Sequence, residues 1–261
     1  MGFFSNFIKE LPLYLLSLPV ILVALSVHES AHGYVAYKLG DPTARNLGRI
    51  TLNPIKHFDL FGFLCMLIVH FGWAKPVPIN ARYFKNPRRD MALTGAAGPI
   101  SNLLLAIINL LILRIVMIFI TDAYMTEAAR FVVAYNTGSA FSGSLGFTIV
   151  ALLVYLLNLG MTMNIVLAVF NLIPVPPFDG SRIFYVFLPT KWYFGIMKYE
   201  RYIMLGFFII LIAGFLNGPL NMIEGWIMNG LYTITGMGKD SQEFMMTNVL
   251  EVYVYRLLRL V

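Results

Sequence analysis

Long apolar runs are the feature that most limits what this chain can fold into. They extend over residues 11–39, 91–120, 144–173 and, more briefly, 202–216. A helix needs roughly 20 apolar residues to cross the hydrocarbon core of a bilayer, and it must satisfy its own backbone hydrogen bonds there. Charged residues make up only 12% of the chain, against about 25% in a typical soluble domain. The sequence therefore predicts an all-α polytopic membrane protein.

The basic residues lie mainly in loops, and this distribution predicts how the chain is oriented. The loops at 38–57, 74–90 and 180–201 are rich in Lys and Arg, whereas the polar loop 121–143 holds only Arg130. The positive-inside rule places the three basic loops in the cytoplasm. Topology thus accounts for the net charge of +6, and no nucleic-acid partner is expected.

The apolar stretch 58–72 has basic loops on both sides, so we expect it to enter and leave the membrane on one face. Its flanks, GRITL and KPVPI, alternate enough to be short strands. The sequence therefore predicts a small membrane-dipping β-hairpin, or re-entrant segment. We expect residues 1–261 to form one domain, with a core at about 11–185 and further membrane and interfacial helices at about 200–261.

The stretch ALSVHESAHGYVA, residues 24–36, places three ionisable groups in the first apolar run. His28, Glu29 and His32 have the spacing H-E-x-x-H. On a helix, positions i and i+4 project from one face, so the two imidazoles can share one metal ion. Glu29 lies one step round the helix, where it can act as a general base, as in zincins. A chance match is disfavoured because a charged group at the centre of a membrane helix costs about 2.5–3.5 kcal/mol.

A catalytic zinc site also needs a third protein ligand. The candidates near the membrane are Asp59, Asp90, Asp179, His57 and His70. Asp179 stands out because it follows the third long run, in the stretch NLIPVPPFDG. Pro176 and Pro177 are expected to hold the chain extended, and Gly180 permits a tight turn. This segment can return a carboxylate to a buried metal, although Asp179 can equally be a cap in an ordinary polar loop.

Four asparagines form two pairs with a spacing of seven residues, so each pair shares a helix face. Asn102 pairs with Asn109, and Asn164 pairs with Asn171. Both faces can line a polar cavity. We interpret Asn109 and Asn164 as interhelical hydrogen-bonding residues, worth roughly 0.6 kcal/mol per contact, and Asn102 and Asn171 as site residues.

Several of these motifs together resemble the site-2 protease family of intramembrane zinc metalloproteases. HESAH at 28–32 and NLIPVPPFDG at 171–180 carry the resemblance, and GPISN at 98–102 is similar to a further family signature. The residues Gly40-Asp41 and the stretch FGWAKPVP at 71–78 resemble a compact bacterial branch of the family. That branch lacks PDZ and CBS domains.

The resemblance implies a three-helix catalytic core with one or more additional membrane helices. The ligands that it implies for one Zn²⁺ per chain are His28, His32 and Asp179. It also implies that Glu29 is the catalytic base. Asn102 and Asn171 fall in family motifs, and either can donate a hydrogen bond to the oxyanion.

The expected reaction is hydrolysis of a peptide bond within or near the transmembrane segment of a membrane protein, as in regulated intramembrane proteolysis. The expected partners are a single-pass membrane protein substrate and the lipid bilayer, and the sequence is compatible with a homo-oligomer. The expected location is the plasma membrane of a prokaryote. The site should face the cytoplasm because His28 and His32 lie near the cytoplasmic end of the first run.

Two other functions remain open at this point. The first is a non-catalytic protein that binds or transports metal, since transporters also place His and Asp inside bilayers. Such proteins usually contain paired inverted segments with interrupted helices, which this sequence does not show. The second is a lipid-modifying enzyme that uses the same zinc chemistry.

Overall fold

The computed structural model describes residues 3–69, 72–120, 122–137, 139, 142–236, 248 and 252. All regular secondary structure within this part of the chain is helical, as predicted. The α-helices are α1 (Phe3–Lys38), α2 (Thr43–Asn46), α3 (Leu60–Val69), α4 (Pro87–Ile118), α5 (Asp122–Thr137), α6 (Leu145–Asn171), α7 (Asp179–Tyr185), α8 (Thr190–Ile212) and α9 (Asn217–Thr235). Two short 3-10 turns lie at Pro54–Lys56 and Ala81–Tyr83.

Three of these helices are long and apolar enough to cross a membrane. They are Leu15–Lys38 within α1, Pro87–Ile118 and Leu145–Asn171, and they correspond to the first three predicted runs. The surface of α4 exposes a row of large apolar side chains that includes Leu104, Ile108 and Ile115. An exposed apolar surface of this kind is typical of contact with lipid or another apolar partner. A fourth crossing, by α8, stays a prediction.

The β-hairpin predicted around residues 58–72 is not supported. Residues 48–52 form turns and bends, and residues 72–80 have no regular secondary structure. Pro76 and Pro78 have no N–H group to donate to a ladder. The guanidinium of Arg49 donates to the carbonyls of Lys75 at 2.7 Å and Pro76 at 3.3 Å. A side chain therefore takes the acceptors that strand pairing would use.

Between these flanks lies α3, with 10 residues. A helix of that length extends about 15 Å, roughly half the thickness of the hydrocarbon core. It is too short to cross a bilayer as a helix, and its re-entry stays a prediction. The two residues that follow it, His70 and Phe71, lie outside the described residues.

The polar loop predicted at 121–143 instead contains a helix, α5. Ala128, Phe131 and Ala134 are buried along it at intervals of three residues, so one apolar stripe faces the core. The sequence analysis did not predict this helix because its apolar stripe is short and polar residues surround it. Of the interfacial helix predicted near the C-terminus, only residues 248 and 252 are described.

The chain packs as two compact units. Unit I comprises residues 1–21, 106–163 and 227–261, and unit II comprises residues 22–105 and 164–226. The boundaries fall inside helices α1, α4, α6 and α9. The expectation of a single domain over residues 1–261 stays a prediction.

Unit I has an apolar core and a capped helix start. The fully buried side chains at its centre are Leu110, Leu113, Phe131, Phe147, Val154 and Met161. Ser144 caps α6, because its Oγ accepts from Phe147 N–H at 3.2 Å. A Cβ on Gly160 would lie 2.8 Å from Asn109 Oδ1. This glycine therefore lets α6 and α4 approach closely.

Unit II is held together by close backbone approaches and a buried carboxylate. A Cβ on Gly180 would lie 2.3 Å from the Leu172 carbonyl oxygen, so α7 begins directly against the end of α6. The carboxylate of Asp41 is fully buried. It accepts from Thr43 N–H at 2.9 Å and from Asn80 N–H at 2.7 Å. Asp41 thus ties the end of α1 to the irregular segment 72–80.

The segment between α6 and α7 differs from the expected extended chain. Residues 172–178 form turns and bends. The Pro176-Pro177 peptide bond is cis, and Phe178 N–H donates to the Val175 carbonyl at 3.1 Å. Pro174, Pro176 and Pro177 have no backbone donor, but the N–H group of Phe178 remains and closes the turn. The result matches the purpose predicted for this segment, which is to bring Asp179 back toward α1.

We expect Asp41→Ala to destabilise the protein. The change leaves two buried N–H groups without an acceptor, and each such loss costs roughly 1–3 kcal/mol. The measurement is thermal unfolding of the detergent-solubilised protein, followed by circular dichroism. Glu200→Ala is the control because this exposed side chain lies on α8, and surface changes are usually within about 0.5 kcal/mol. Equal midpoints for the two variants would contradict the expectation.

Candidate metal centre

Three side chains from α1 and α7 converge in unit II. The Nε2 atoms of His28 and His32 are 3.0 Å apart. Oδ2 of Asp179 lies 3.1 Å from the first of these atoms and 3.0 Å from the second. Ligand atoms of a tetrahedral zinc ion, at 2.0–2.1 Å bonds, are about 3.4 Å apart. The triangle is therefore close to the size that one ion requires.

This triangle is buried and has a carboxyl group at its third corner. His28 and His32 are each 5% exposed, and Asp179 is 8% exposed. In its ionised form the carboxyl group of Asp179 is the kind of ligand that binds metals. The described part of the chain contains no other group of three metal-binding side chains.

The far side of each imidazole has a hydrogen-bond acceptor. His32 Nδ1–H donates to the Thr94 carbonyl at 2.7 Å, and His28 Nδ1–H donates to Asn102 Oδ1 at 2.5 Å. With the proton on Nδ1, the lone pair of each ring is on Nε2, inside the triangle. This is the arrangement found behind metal-binding histidines generally. The donor set thus fits a metal ion in its chemistry as well as its spacing.

Gly98 leaves the space beside the two imidazoles free. A Cβ at this position would lie 2.5 Å from His28 Cε1 and from His32 Nε2, and 2.6 Å from His28 Nε2. Any side chain here would fill the position that an ion between the nitrogens needs. The glycine of the GPISN motif is therefore explained by the close approach of α4 to the triangle.

Glu29 lies beside the triangle but is not part of it. It is half-buried, and its Oε2 accepts from Val77 N–H at 2.8 Å. Val77 stands between Pro76 and Pro78, so it supplies the backbone donor of this Pro-Val-Pro stretch. Glu29 is thus held by the irregular segment 72–80, and the three corners of the triangle remain those predicted.

The two asparagines predicted as site residues, Asn102 and Asn171, have different hydrogen-bond partners. Asn102 is fully buried and contacts the triangle through His28. Its Nδ2 donates to Asn164 Oδ1 at 2.7 Å and to the Ala24 carbonyl at 3.4 Å. Asn171 instead donates to the Leu167 carbonyl of its own helix at 2.9 Å. Within the described residues, Asn171 makes no hydrogen bond to the triangle.

Asn164 makes the kind of interhelical hydrogen bond that the sequence analysis predicted for it. It is 3% exposed, and its Oδ1 accepts from Asn102 Nδ2–H of α4 at 2.7 Å. Its spacing of seven residues from Asn171 could not reveal that this partner is the residue that contacts His28.

The other candidates for the third ligand have different roles. Asp59 accepts from Gly62 N–H at 2.8 Å near the start of α3. Asp90 accepts from Asn86 N–H and pairs with Arg89 at 2.9 Å. His57 is buried, and its Nε2 donates to the Thr51 carbonyl at 2.8 Å. His70 lies outside the described residues.

A buried His-His-Asp triangle, in a chain with three helices long and apolar enough to cross a membrane, is typical of a membrane metalloprotease, and comparison with known proteins agrees. Residues 16–214 match Peptidase family M50. The chain is 39% identical over 208 residues to "Putative zinc metalloprotease YwhC" of Bacillus subtilis (strain 168), covering 80% of this chain and 83% of that protein.

A second relative is more distant. "Putative zinc metalloprotease Rip2" of Mycolicibacterium smegmatis (strain ATCC 700084 / mc(2)155) is 29% identical over 164 residues, which cover 61% of this chain and 52% of that protein. No solved structure matches this chain significantly. The chain belongs to peptidase family M50, the site-2 protease family that its motifs resemble, and it is a metalloprotease.

We expect Gly98→Ala to abolish metal binding. The added methyl group would lie within 2.6 Å of three imidazole atoms, so the ring nitrogens could no longer share an ion. The measurement is the metal content of the purified protein by mass spectrometry. Gly206→Ala is the matched control, because a Cβ on this α8 glycine meets nothing within 4 Å. Wild-type metal content in Gly98→Ala would show that the ion binds elsewhere.

Proposed function

We propose that this chain is a zinc-dependent intramembrane endopeptidase. It hydrolyses a peptide bond within or near the transmembrane segment of a single-pass membrane protein, as in regulated intramembrane proteolysis. The observation that carries the proposal is the buried triangle of His28, His32 and Asp179. Two of its corners lie on a helix that is long and apolar enough to span a membrane.

The three corners of the triangle are the proposed zinc ligands. His28, His32 and Asp179 would hold the ion through two imidazoles and one carboxylate. Zinc bound there would act as a Lewis acid that polarises a carbonyl group and lowers the pKa of water to about 7. A set of three protein ligands is typical of catalytic and not of structural zinc sites.

Glu29 is the proposed general base. Its carboxylate takes a proton from the attacking water and then delivers it to the leaving nitrogen of the peptide. The hydrogen bond from Val77 N–H engages Oε2, which fixes the direction of the carboxylate and leaves Oε1 for the proton.

The two motif asparagines have separate proposed roles. Asn102 uses its donor group on Asn164 and the Ala24 carbonyl, so we assign it to holding His28 and not to the oxyanion. Asn171 has two amide hydrogens, and one of them is used by the Leu167 carbonyl. The second is the proposed donor to the oxyanion of the substrate carbonyl.

The proposed location is the plasma membrane of a prokaryote, with the site toward the cytoplasm. The basic loops that flank the spans support this side, and His28 and His32 lie in the second half of the span Leu15–Lys38. The substrate must unwind locally, because a helix hides its amides in internal hydrogen bonds. Water that enters from the cytoplasm would reach the end of the span that carries His28 and His32.

We expect Glu29→Gln to separate metal binding from hydrolysis. Glutamine retains the shape of the side chain but cannot take a proton, so cleavage should fall by about 10²–10⁴-fold while the zinc content remains near one per chain. The measurement combines metal analysis with cleavage of a single-pass substrate in proteoliposomes. Asp179→Ala is the comparison, and it should lose both zinc and cleavage. A metal transporter would instead retain its transport in Glu29→Gln.

We also expect Val77→Pro to reduce cleavage without loss of zinc. Proline removes the N–H that donates to Glu29, so the carboxylate loses its fixed direction. The expected loss in kcat is about tenfold or more. Ile79→Pro is the control, since Ile79 N–H makes no hydrogen bond within the part of the chain that the structure describes. Equal kcat for the two proline variants would remove Val77 from the mechanism.

A further inference from the structure

We infer that Asn164 is a positioning residue for the metal centre. Its side-chain oxygen orients the amide of Asn102, and that amide determines which nitrogen of His28 carries the proton. The inference rests on the proposed role of His28 as a zinc ligand. It gives a function to a residue that lies on a different helix from His28 and that is connected to His28 through Asn102.

Three buried side chains form a continuous series from α6 through α4 to α1. Asn164 is 3% exposed, Asn102 is fully buried, and His28 is 5% exposed. Asn102 Nδ2–H donates to Asn164 Oδ1 at 2.7 Å, and His28 Nδ1–H donates to Asn102 Oδ1 at 2.5 Å. Water cannot replace these partners easily at such burial, so each hydrogen bond depends on its neighbour.

The amide of Asn102 has two possible orientations with opposite effects on His28. With the oxygen toward the ring, His28 carries its proton on Nδ1 and offers the Nε2 lone pair to a metal. With the NH₂ group toward the ring, Nδ1 must accept, and the proton moves to Nε2, where it blocks the ligand position. The orientation of one amide therefore decides whether His28 can bind an ion.

Asn164 and the Ala24 carbonyl together select the productive orientation: the carbonyl can only accept, and Asn164 presents its own Oδ1 to the same NH₂ group. An acceptor at this position requires a donor from Asn102, which directs the NH₂ group of Asn102 away from His28. The Ala24 carbonyl assists, but at 3.4 Å it makes the longer and weaker bond. Removal of the Asn164 oxygen would leave this long contact as the main acceptor for the amide.

The second histidine does not need such a residue. His32 Nδ1–H donates to the backbone carbonyl of Thr94, and a carbonyl can accept but cannot donate. Its tautomer is therefore fixed directly by α4. A change at Asn164 should consequently affect one of the two imidazoles and leave the other unchanged.

The test compares zinc affinities of metal-free protein by competition with a chromophoric chelator. We expect Asn164→Leu to weaken zinc binding by about 10–100-fold, the range seen for residues that hold metal ligands. Asn158→Leu is the matched control on the same helix, because Asn158 accepts from Tyr232 OH in unit I. It should bind zinc within about threefold of wild type. Asn164→Ala carries the same expectation if the leucine variant does not fold.

A conservative variant and a double variant separate positioning from packing. Asn164→Asp keeps an acceptor and should bind zinc within about threefold of wild type. Asn102→Asp can only accept, so its orientation toward His28 needs no selection. Adding Asn164→Leu to Asn102→Asp should therefore weaken zinc binding little further, which is a non-additive result for residues in contact. A packing role would give the same loss in both backgrounds and would overturn the inference.

His28→Ala distinguishes failure of the inference from failure of the proposed function. If His28→Ala loses zinc but Asn164→Leu binds it as tightly as wild type, the inference is wrong and the proposed ligands stand. If His28→Ala retains wild-type affinity, the proposed metal centre itself is wrong. Thermal unfolding of the metal-free variants, measured in parallel, should give similar midpoints for Asn164→Leu and Asn158→Leu.

Discussion

The contact between the Asp179 carboxylate and the two imidazoles of α1 is the constraint on which the rest of unit II depends. Asp179 Oδ2 must lie within about 3 Å of both ring nitrogens, which requires α7 to begin against α1, α4 and the end of α6. The helix backbones must therefore come very close to a neighbouring backbone or to an imidazole ring. A glycine lies at each of these close approaches. Gly180 faces the Leu172 carbonyl, Gly95 faces the Asp179 carbonyl, and Gly98 faces the imidazoles. Glycines in α4 and α7 thus make room for the contacts of one carboxylate.

Burial of these polar groups also explains the hydrogen bonds behind them. An unpaired polar group in an apolar interior is costly, and a metal centre inside a membrane helix concentrates several such groups. The Thr94 carbonyl, Asn102 and Asn164 pair the outer nitrogens of the rings. The same hydrogen bonds that pair these buried nitrogens also keep the protons on Nδ1. The Nε2 lone pairs are therefore available to an ion.

The sequence predicted which three side chains form the triangle because their convergence is encoded in short spacings. H-E-x-x-H requires only one helical turn, and Asp179 lay in a stretch full of turn-forming residues. The spans were predictable because lipid demands long apolar runs. The β-hairpin was not supported, since Arg49 takes the carbonyls that pairing needs, and a sequence pattern contains no such tertiary contact. Asn164 makes the predicted kind of interhelical hydrogen bond, but its link to His28 depends on Asn102, which lies on another helix and which the spacing could not identify.

The proposed ligands and the proposed base are held by different kinds of structure. Helices α1, α4 and α7 position the three corners of the triangle. The carboxylate of Glu29 is instead held by an irregular segment, which is attached to the rest of unit II at the His57 carbonyl, Arg49 and Asp41. Its backbone hydrogen bonds lack the support of a repeating ladder, and such segments open more easily than helices. A substrate that displaced this segment would therefore change the direction of Glu29 while the triangle stayed in place, so the proposed metal binding and the proposed turnover can change separately.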